Sequence, residues 1–344
     1  MSIKAEKKQQ ILLYMLEHID KRDPDYISKT VSNFGISKTT TYSYLKQMVQ
    51  DGLIEPSSSS KAKYVLKSEV FNFKYKTTED LEEDRIFNRD ILPLISDYPI
   101  NVIDITRYIF TEMMNNAIDH SNASNITCTV LKNYLNTKYL ISDDGIGIFR
   151  KIQLYFKEKG EIITLDEAVD ALFPGKLTTD VRNHSGQGIF FSSRAADLFS
   201  IYSDSKVFSH SSFKEVKFDA DKLFEKGTSV LFVLANNSQK KLVDVFNMFS
   251  DPTRGFFKTQ IPIAHMFSSG SPVSRSEARR LGTFIRSFEE VTLDFKDVPS
   301  VGQAFVHELF VKYQNRYPNI SINVVNANDD VLNMISMVKN TKYL

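Results

Sequence analysis

Three short polar stretches stand in an otherwise apolar background: Thr111 to His120, Ser142 to Ile148, and His184 to Gly188. Glu112 and Asn116 are one helical turn apart, so a carboxylate and an amide share a face, with Asp119 following on the same side. An ionised Glu112 suits the orientation or deprotonation of a nucleophile beside a phosphoryl group. The amide oxygen of Asn116 suits a magnesium ion that keeps most of its waters and its phosphate oxygens. Asp143, an acceptor when ionised, matches the exocyclic amine of adenine and disfavours guanine. Gly145 and Gly147 let backbone approach a ligand closely, while Gly186 and Gly188 leave N–H donors free at a helix start, where phosphate is attracted. Each stretch has a plain alternative: a solvated helix face, a hairpin turn, or a ligand-free loop. Their coincidence carries the functional reading.

The elements that must position these groups follow from periodicity. Phe110, Met113, Met114 and Ala117 repeat as one buried face of a helix from about Asn101 to Ser121. Ile126, Cys128 and Val130 alternate as a half-buried strand, and Lys138 to Ser142 returns as its partner. A helix begins near Ile189-Phe190-Phe191. In this order, E-x-x-x-N-A, D-x-G-x-G and G-x-G before a helix resemble the N, G1 and G2 boxes of the GHKL superfamily. That superfamily includes gyrase-type ATPases, heat-shock chaperone ATPases, MutL, histidine kinases and anti-sigma-factor serine kinases. The resemblance implies ATP and Mg2+ as cofactors, with Asn116 on the metal and Thr228 in the adenine-side network. It also implies an ATP lid over about 149–185, in which Lys176 and Arg182 either reach the γ-phosphate or are solvated. Gly145 and Gly147 lack the third glycine of a dinucleotide fingerprint, and Gly175-Lys176-Leu177 lacks a P-loop hydroxyl.

A chain of 344 residues, 42% hydrophobic and 25% charged, with net charge +1, has the composition of a soluble protein of two or three domains. The single Cys128 excludes a disulfide framework and is read as a small core residue. Six scattered histidines give no zinc spacing, and no apolar run is long enough to cross a bilayer. The expected location is cytoplasmic, without membrane association.

Residues 1–67 read as a winged helix-turn-helix. Ile11, Leu12, Met15, Leu16 and Ile19 give the first helix its face, Asp23 with Pro24 opens a second, Gly35 ends it, and Ser37 starts a third. Leu53-Ile54 and Tyr64-Val65-Leu66 form the wing around the Ser57 to Ser60 run. This part resembles prokaryotic winged-helix regulators, so Lys38, Thr39, Thr40, Tyr42 and Lys46 are the candidate contacts to double-stranded DNA, with Lys61 and Lys63 on phosphates. It carries 11 Lys+Arg against 7 Asp+Glu, net +4; docking of a protein is the other use of such a module.

Residues 68–88 read as a charged connector, with the acidic Thr78 to Asp84 as a solvated helix start or else a docking strip. They contain no histidine, which disfavours histidine autophosphorylation. Strands are expected at Phe199 to Ser203, Phe213 to Phe218 and Thr228 to Leu234. From about Gln260, strand and helix alternate: a Ser274/Glu277 capping box, then Val291 to Phe295, Val301 to Tyr317, Ile320 to Val325 and Val331 to Val338. This order resembles the STAS-like domains of anti-sigma-factor antagonists. Ser300 lies where such antagonists are phosphorylated, but without their Asp-Ser doublet, and is read as a helix cap.

The expected architecture is therefore α+β and multidomain: a winged helix (1–67), a GHKL (Bergerat) α/β sandwich (68–250) and a STAS-like α/β domain (255–344). The expected function is an ATP-binding switch that regulates transcription, with DNA at one end, a protein partner at the other, and homodimerisation compatible. The alternatives are an anti-sigma-type protein-serine kinase and an ATP-gated scaffold.

Overall fold

The computed structural model describes residues 3–57, 63–78, 80–177, 187–211, 226–267 and 270–340. Three helices, α1 (Ile3–Asp20), α2 (Tyr26–Phe34) and α3 (Lys38–Gln50), precede the antiparallel pair β1 (Ile54–Pro56) and β2 (Tyr64–Leu66). Ile11, Met15, Leu16, Ile19, Leu45 and Met48 form their own small core. Gly35 ends α2 at φ +62°, and the Ser37 hydroxyl accepts from the Thr40 amide to cap α3. Asp23 does not cap α2. That helix begins at Tyr26, and the Asp23 carboxylate accepts instead from the Asp25 amide and the Lys29 ammonium.

The centre of the molecule is a six-stranded antiparallel sheet. Its strands are β3 (Glu69–Lys76), β4 (Asn125–Lys132), β5 (Asn136–Asp143), β6 (Leu198–Ser203), β7 (Lys206–Ser211) and β8 (Thr228–Ala235), in the spatial order β3-β4-β5-β8-β6-β7. β3 corrects the connector reading of residues 68–88. Phe71, Phe73 and Tyr75 alternate beneath the charge, and the Tyr75 hydroxyl donates to Asp90 at 2.8 Å. Such alternation is what a half-buried edge strand requires. β7 lies N-terminal to the strand expected at Phe213 to Phe218, which falls outside the described residues.

Helices cover one face of this sheet. α4 spans 83–95, and α5 runs from Ile100–Asn115 into a single π turn, Asn116–His120. Then come α6 (Ile148–Glu158), α7 (Leu165–Asp170), α8 (Gly188–Ala195) and α9 (Leu242–Phe249). Phe110, Met113, Met114 and Ala117 are all buried against Ile126, Cys128, Tyr139 and Ile141 of the sheet. Burial pushes the Cys128 thiol up to about 12, so it stays protonated and unreactive.

A short hairpin, β9 (Ser250–Asp251) with β10 (Gly255–Phe256), leads into a parallel sheet of β11 (Lys258–Pro262), β12 (Glu290–Asp294) and β13 (Ser321–Val325) in that order. α10 (Ile263–Met266), α11 (Arg275–Ile285), α12 (303–316) and α13 (Asp329–Asn340) complete it. The capping box of α11 forms as expected, Ser274 accepting from the Glu277 amide while the Glu277 carboxylate accepts from that of Ser274. Ser300 does not cap α12: its N-cap is Gly302, and Ser300 is exposed two residues earlier. The second and third units share one hydrophobic core, joined where Phe190 meets Phe249 and Phe256 at 5.0 and 4.6 Å between ring centres. The chain is thus mixed α and β, with several sheets. Among the described residues no helix is long and apolar enough to cross a membrane.

Candidate functional site

α5, the end of β5, the start of α6, segment 172–177, the start of α8 and the start of β8 enclose a cavity of about 310 Å³. That is the size of a small-molecule site. Glu112, Asn116, Asp143, Gly147, Gly188 and Thr228 all line it. Gly145 does not line it, and Gly186 and Arg182 lie outside the described residues.

Strand alternation decides which carboxylate faces the cavity. Tyr139, Ile141 and Asp143 are two residues apart on the buried face of β5, beneath the helices. Asp143 is 9% exposed, and its Oδ1 accepts from the amides of Gly145 at 2.9 Å and Thr228 at 3.3 Å. Burial, with a smaller push from the neighbouring Asp144 charge, raises its carboxyl to about 6, although both hydrogen bonds oppose this. The neighbouring Asp144 has a different task. Its carboxylate accepts from the Ser124 and Asn125 amides and the Asn125 side chain, tying the strand end to the chain after α5, and these bonds hold it below the usual range.

The glycines allow backbone and side chains to meet. A Cβ on Gly188 would lie 2.0 Å from Glu112 Oε2, so glycine lets the start of α8 lie against that carboxylate without displacing it. Gly145 abuts the Ser121 carbonyl, and the next amide, Ile146, donates to it at 2.9 Å; Gly145 thus fastens the loop to the end of α5. Gly147, at φ +86°, precedes α6, whose first amide, Ile148, donates to Thr228 Oγ1 at 3.0 Å. Thr228 therefore satisfies a helix-start donor while its side chain borders the cavity. Gly227, at φ +74°, leaves a Cβ position 2.0 Å from the Asp143 carbonyl.

Asn116 opens the π turn in α5, an irregularity frequent at functional sites. Its amide oxygen is the kind of single protein ligand that a hydrated magnesium ion held chiefly by phosphate would take. Among the described residues there is no cluster of three metal-binding side chains that would form a dedicated cage.

Lys151 and Ser121 also line the cavity and were not singled out by sequence reasoning. Lys151 donates to the His120 carbonyl. Its place one turn into the helix after D-x-G-x-G was the available signal. Lys176 does not line the cavity: half-buried, its ammonium donates to the Ser287 carbonyl at 2.7 Å and sits 4.3 Å from the Phe288 ring centre.

On α3, Lys38, Thr39, Tyr42 and Lys46 are exposed, Tyr42 by 52%. Thr40 is part of the cap, its hydroxyl 2.9 Å from that of Ser37. Lys61 lies outside the described residues, as do Ser58 to Ser60.

Residues 278–332, from within α11 into α13, match the family profile of a STAS-like domain of unknown function (DUF4325). The C-terminal unit therefore contains a STAS-like domain, as its strand and helix order implied. No curated protein shows a sequence match to this chain.

Proposed function

We propose that this protein is an ATP-responsive switch. In this reading a GHKL-type domain binds Mg-ATP between a DNA-binding winged helix and the STAS-like domain. The observation that carries it is the convergence of Glu112, Asn116, Asp143, Gly188 and Thr228, from distant parts of the chain, on one cavity. Asp143 accepts from the adenine amine, and the Thr228 hydroxyl lies on the same side, beside its amide bond to Asp143. Asn116 holds the magnesium ion, which when bound neutralises phosphate charge. Glu112 orients the nucleophile, and the donors at the start of α8 receive phosphate. The exposed Lys38, Thr39, Tyr42 and Lys46 form the DNA-facing surface of α3.

The test is calorimetry of the purified chain with Mg-ATP, Mg-ADP and Mg-GTP, with turnover measured on the same sample. Binding of adenine nucleotides in preference to GTP is expected, and no binding of any of them overturns the reading. Label in the γ-phosphate assigns the reaction: inorganic phosphate marks hydrolysis, and covalent label on protein marks a kinase. Gel shifts with and without ATP test the DNA half, which fails if no duplex is retained in either condition.

A further inference from the structure

One wall of the cavity is the segment 172–177, contributing Leu172, Gly175 and Leu177. Its far side is held by the C-terminal unit. Arg280 of α11 reaches Glu167 Oε1 at 2.7 Å through Nη1 and Asp170 Oδ2 at 2.9 Å through Nη2. The Thr259 hydroxyl of β11 donates to the Pro174 carbonyl at 2.9 Å, and Lys176 donates to the Ser287 carbonyl beyond α11. The opposite side of the cavity mouth is tied to the same sheet, because Arg194 of α8 donates to the Gln260 carbonyl at 2.8 Å. Gly175, at φ +92°, leaves a Cβ position 2.2 Å from the Phe190 ring, so the wall and α8 are also interlocked.

We propose that Arg280 is a positioning residue through which the STAS-like domain sets the cavity wall and thereby controls how long an adenine nucleotide stays bound. This rests on the nucleotide reading above. Arg280 touches no cavity group and acts through Glu167, Asp170 and the chain that follows them. Two observations separate it from an ordinary surface pair. Asp170 is only 6% exposed, and burial raises its carboxyl to about 7 while the Arg280 guanidinium pulls the other way. Removing the arginine takes away the side chain that contacts both Glu167 and Asp170 and so unties α7, and the wall that follows it, from α11. The second is continuity: Asp170 is two residues from Leu172, which lines the cavity, and Arg280 lies within the STAS-like match. A change in the C-terminal unit that shifts α11 therefore reaches the nucleotide through the wall, by altering the contacts available to it in each of its positions.

The experiment follows dissociation of a fluorescent ADP analogue from the full-length chain in stopped flow, alongside hydrogen exchange of residues 165–177. Arg280→Ala is expected to accelerate dissociation at least fivefold and to raise exchange in that segment, with partial rescue in Arg280→Lys. Asp170→Asn, which keeps the side-chain volume and tests the pair where Arg280→Ala fails to fold, is expected to shift both in the same direction. Arg279→Ala is the control. It breaks a 2.7 Å pair with Glu308 inside the C-terminal unit and should leave dissociation within twofold. A wild type that binds nucleotide, with dissociation unchanged in Arg280→Ala and Asp170→Asn, overturns the control by Arg280 alone. Equal acceleration in Arg279→Ala also overturns it, since general loosening then suffices. A wild type that binds no adenine nucleotide overturns the nucleotide reading instead, and this proposal with it.

Discussion

Replacing Asp143 by asparagine should stabilise the protein while weakening the site. The substitution is close to isosteric, and the side-chain oxygen can keep accepting from the Gly145 and Thr228 amides. What is lost is a buried charge. The Asp143 carboxyl is raised from 3.8 to about 6, so the folded state holds its proton more tightly than the unfolded chain does. At roughly 1.4 kcal/mol per pKa unit, ionised Asp143 costs up to about 3 kcal/mol of stability. The sign follows from linkage: the cost is absent below the unfolded pKa, grows as pH rises from about 4, and is complete above about 6. Asp143→Asn should therefore raise the melting temperature at pH 7.5, by roughly 2–4 °C per kcal/mol for a unit of this size. The gain should fade as pH falls toward 4. Differential scanning fluorimetry across that range reads both, and calorimetry on the same samples should show adenine-nucleotide affinity down by about tenfold or more, as for loss of a hydrogen bond to a charged group. An unchanged or lower melting temperature at pH 7.5, or a gain equal at pH 7.5 and 4.5, would refute the reasoning.

Nucleotide affinity of the wild type should itself fall as pH drops through about 6, by about tenfold at pH 5, and this dependence should be missing in Asp143→Asn; titration calorimetry of both proteins checks it. Glu112→Gln should leave nucleotide affinity within a few-fold while lowering any turnover by about 10²–10⁴-fold, seen in a phosphate-release assay. Gly227→Ala forces a side chain into a left-handed backbone beside the Asp143 carbonyl and should cost on the order of 1–3 kcal/mol, read as a lower melting temperature. Lys46→Ala should weaken duplex binding evenly across sequences and reduce the slope of log affinity against log salt by about 1, measured by fluorescence anisotropy.

Much of this architecture was legible because its causes are local. The 3.6-residue spacing of Phe110, Met113, Met114 and Ala117 buries one helix face whatever lies opposite, and the alternation of Ile126, Cys128 and Val130 does the same for a strand. Gly35, Ser37 and the Ser274/Glu277 pair satisfy backbone groups within three or four residues, so their roles need no distant partner. Charge hid β3, whose Phe71, Phe73 and Tyr75 alternate between lysines and an asparagine. Ser300 has the composition of a cap, but the turn of the chain begins α12 at Gly302 instead.

The amino-acid order by itself determined the helix and strand periods, the caps and the set of groups able to meet a phosphate and a base. Only the tertiary structure decided that Asp143 borders the cavity while Asp144 ties down a strand end, that the start of α8 lies against Glu112, and that Lys176 and Arg280 join the cavity wall to the C-terminal unit. The Asp144 bonds span 19 or 20 positions, and the other outcomes depend on contacts between residues roughly 75 to 115 positions apart. Neither a period nor a cap encodes such pairings, because they arise only when separate layers pack and each buried polar group must find its partner there.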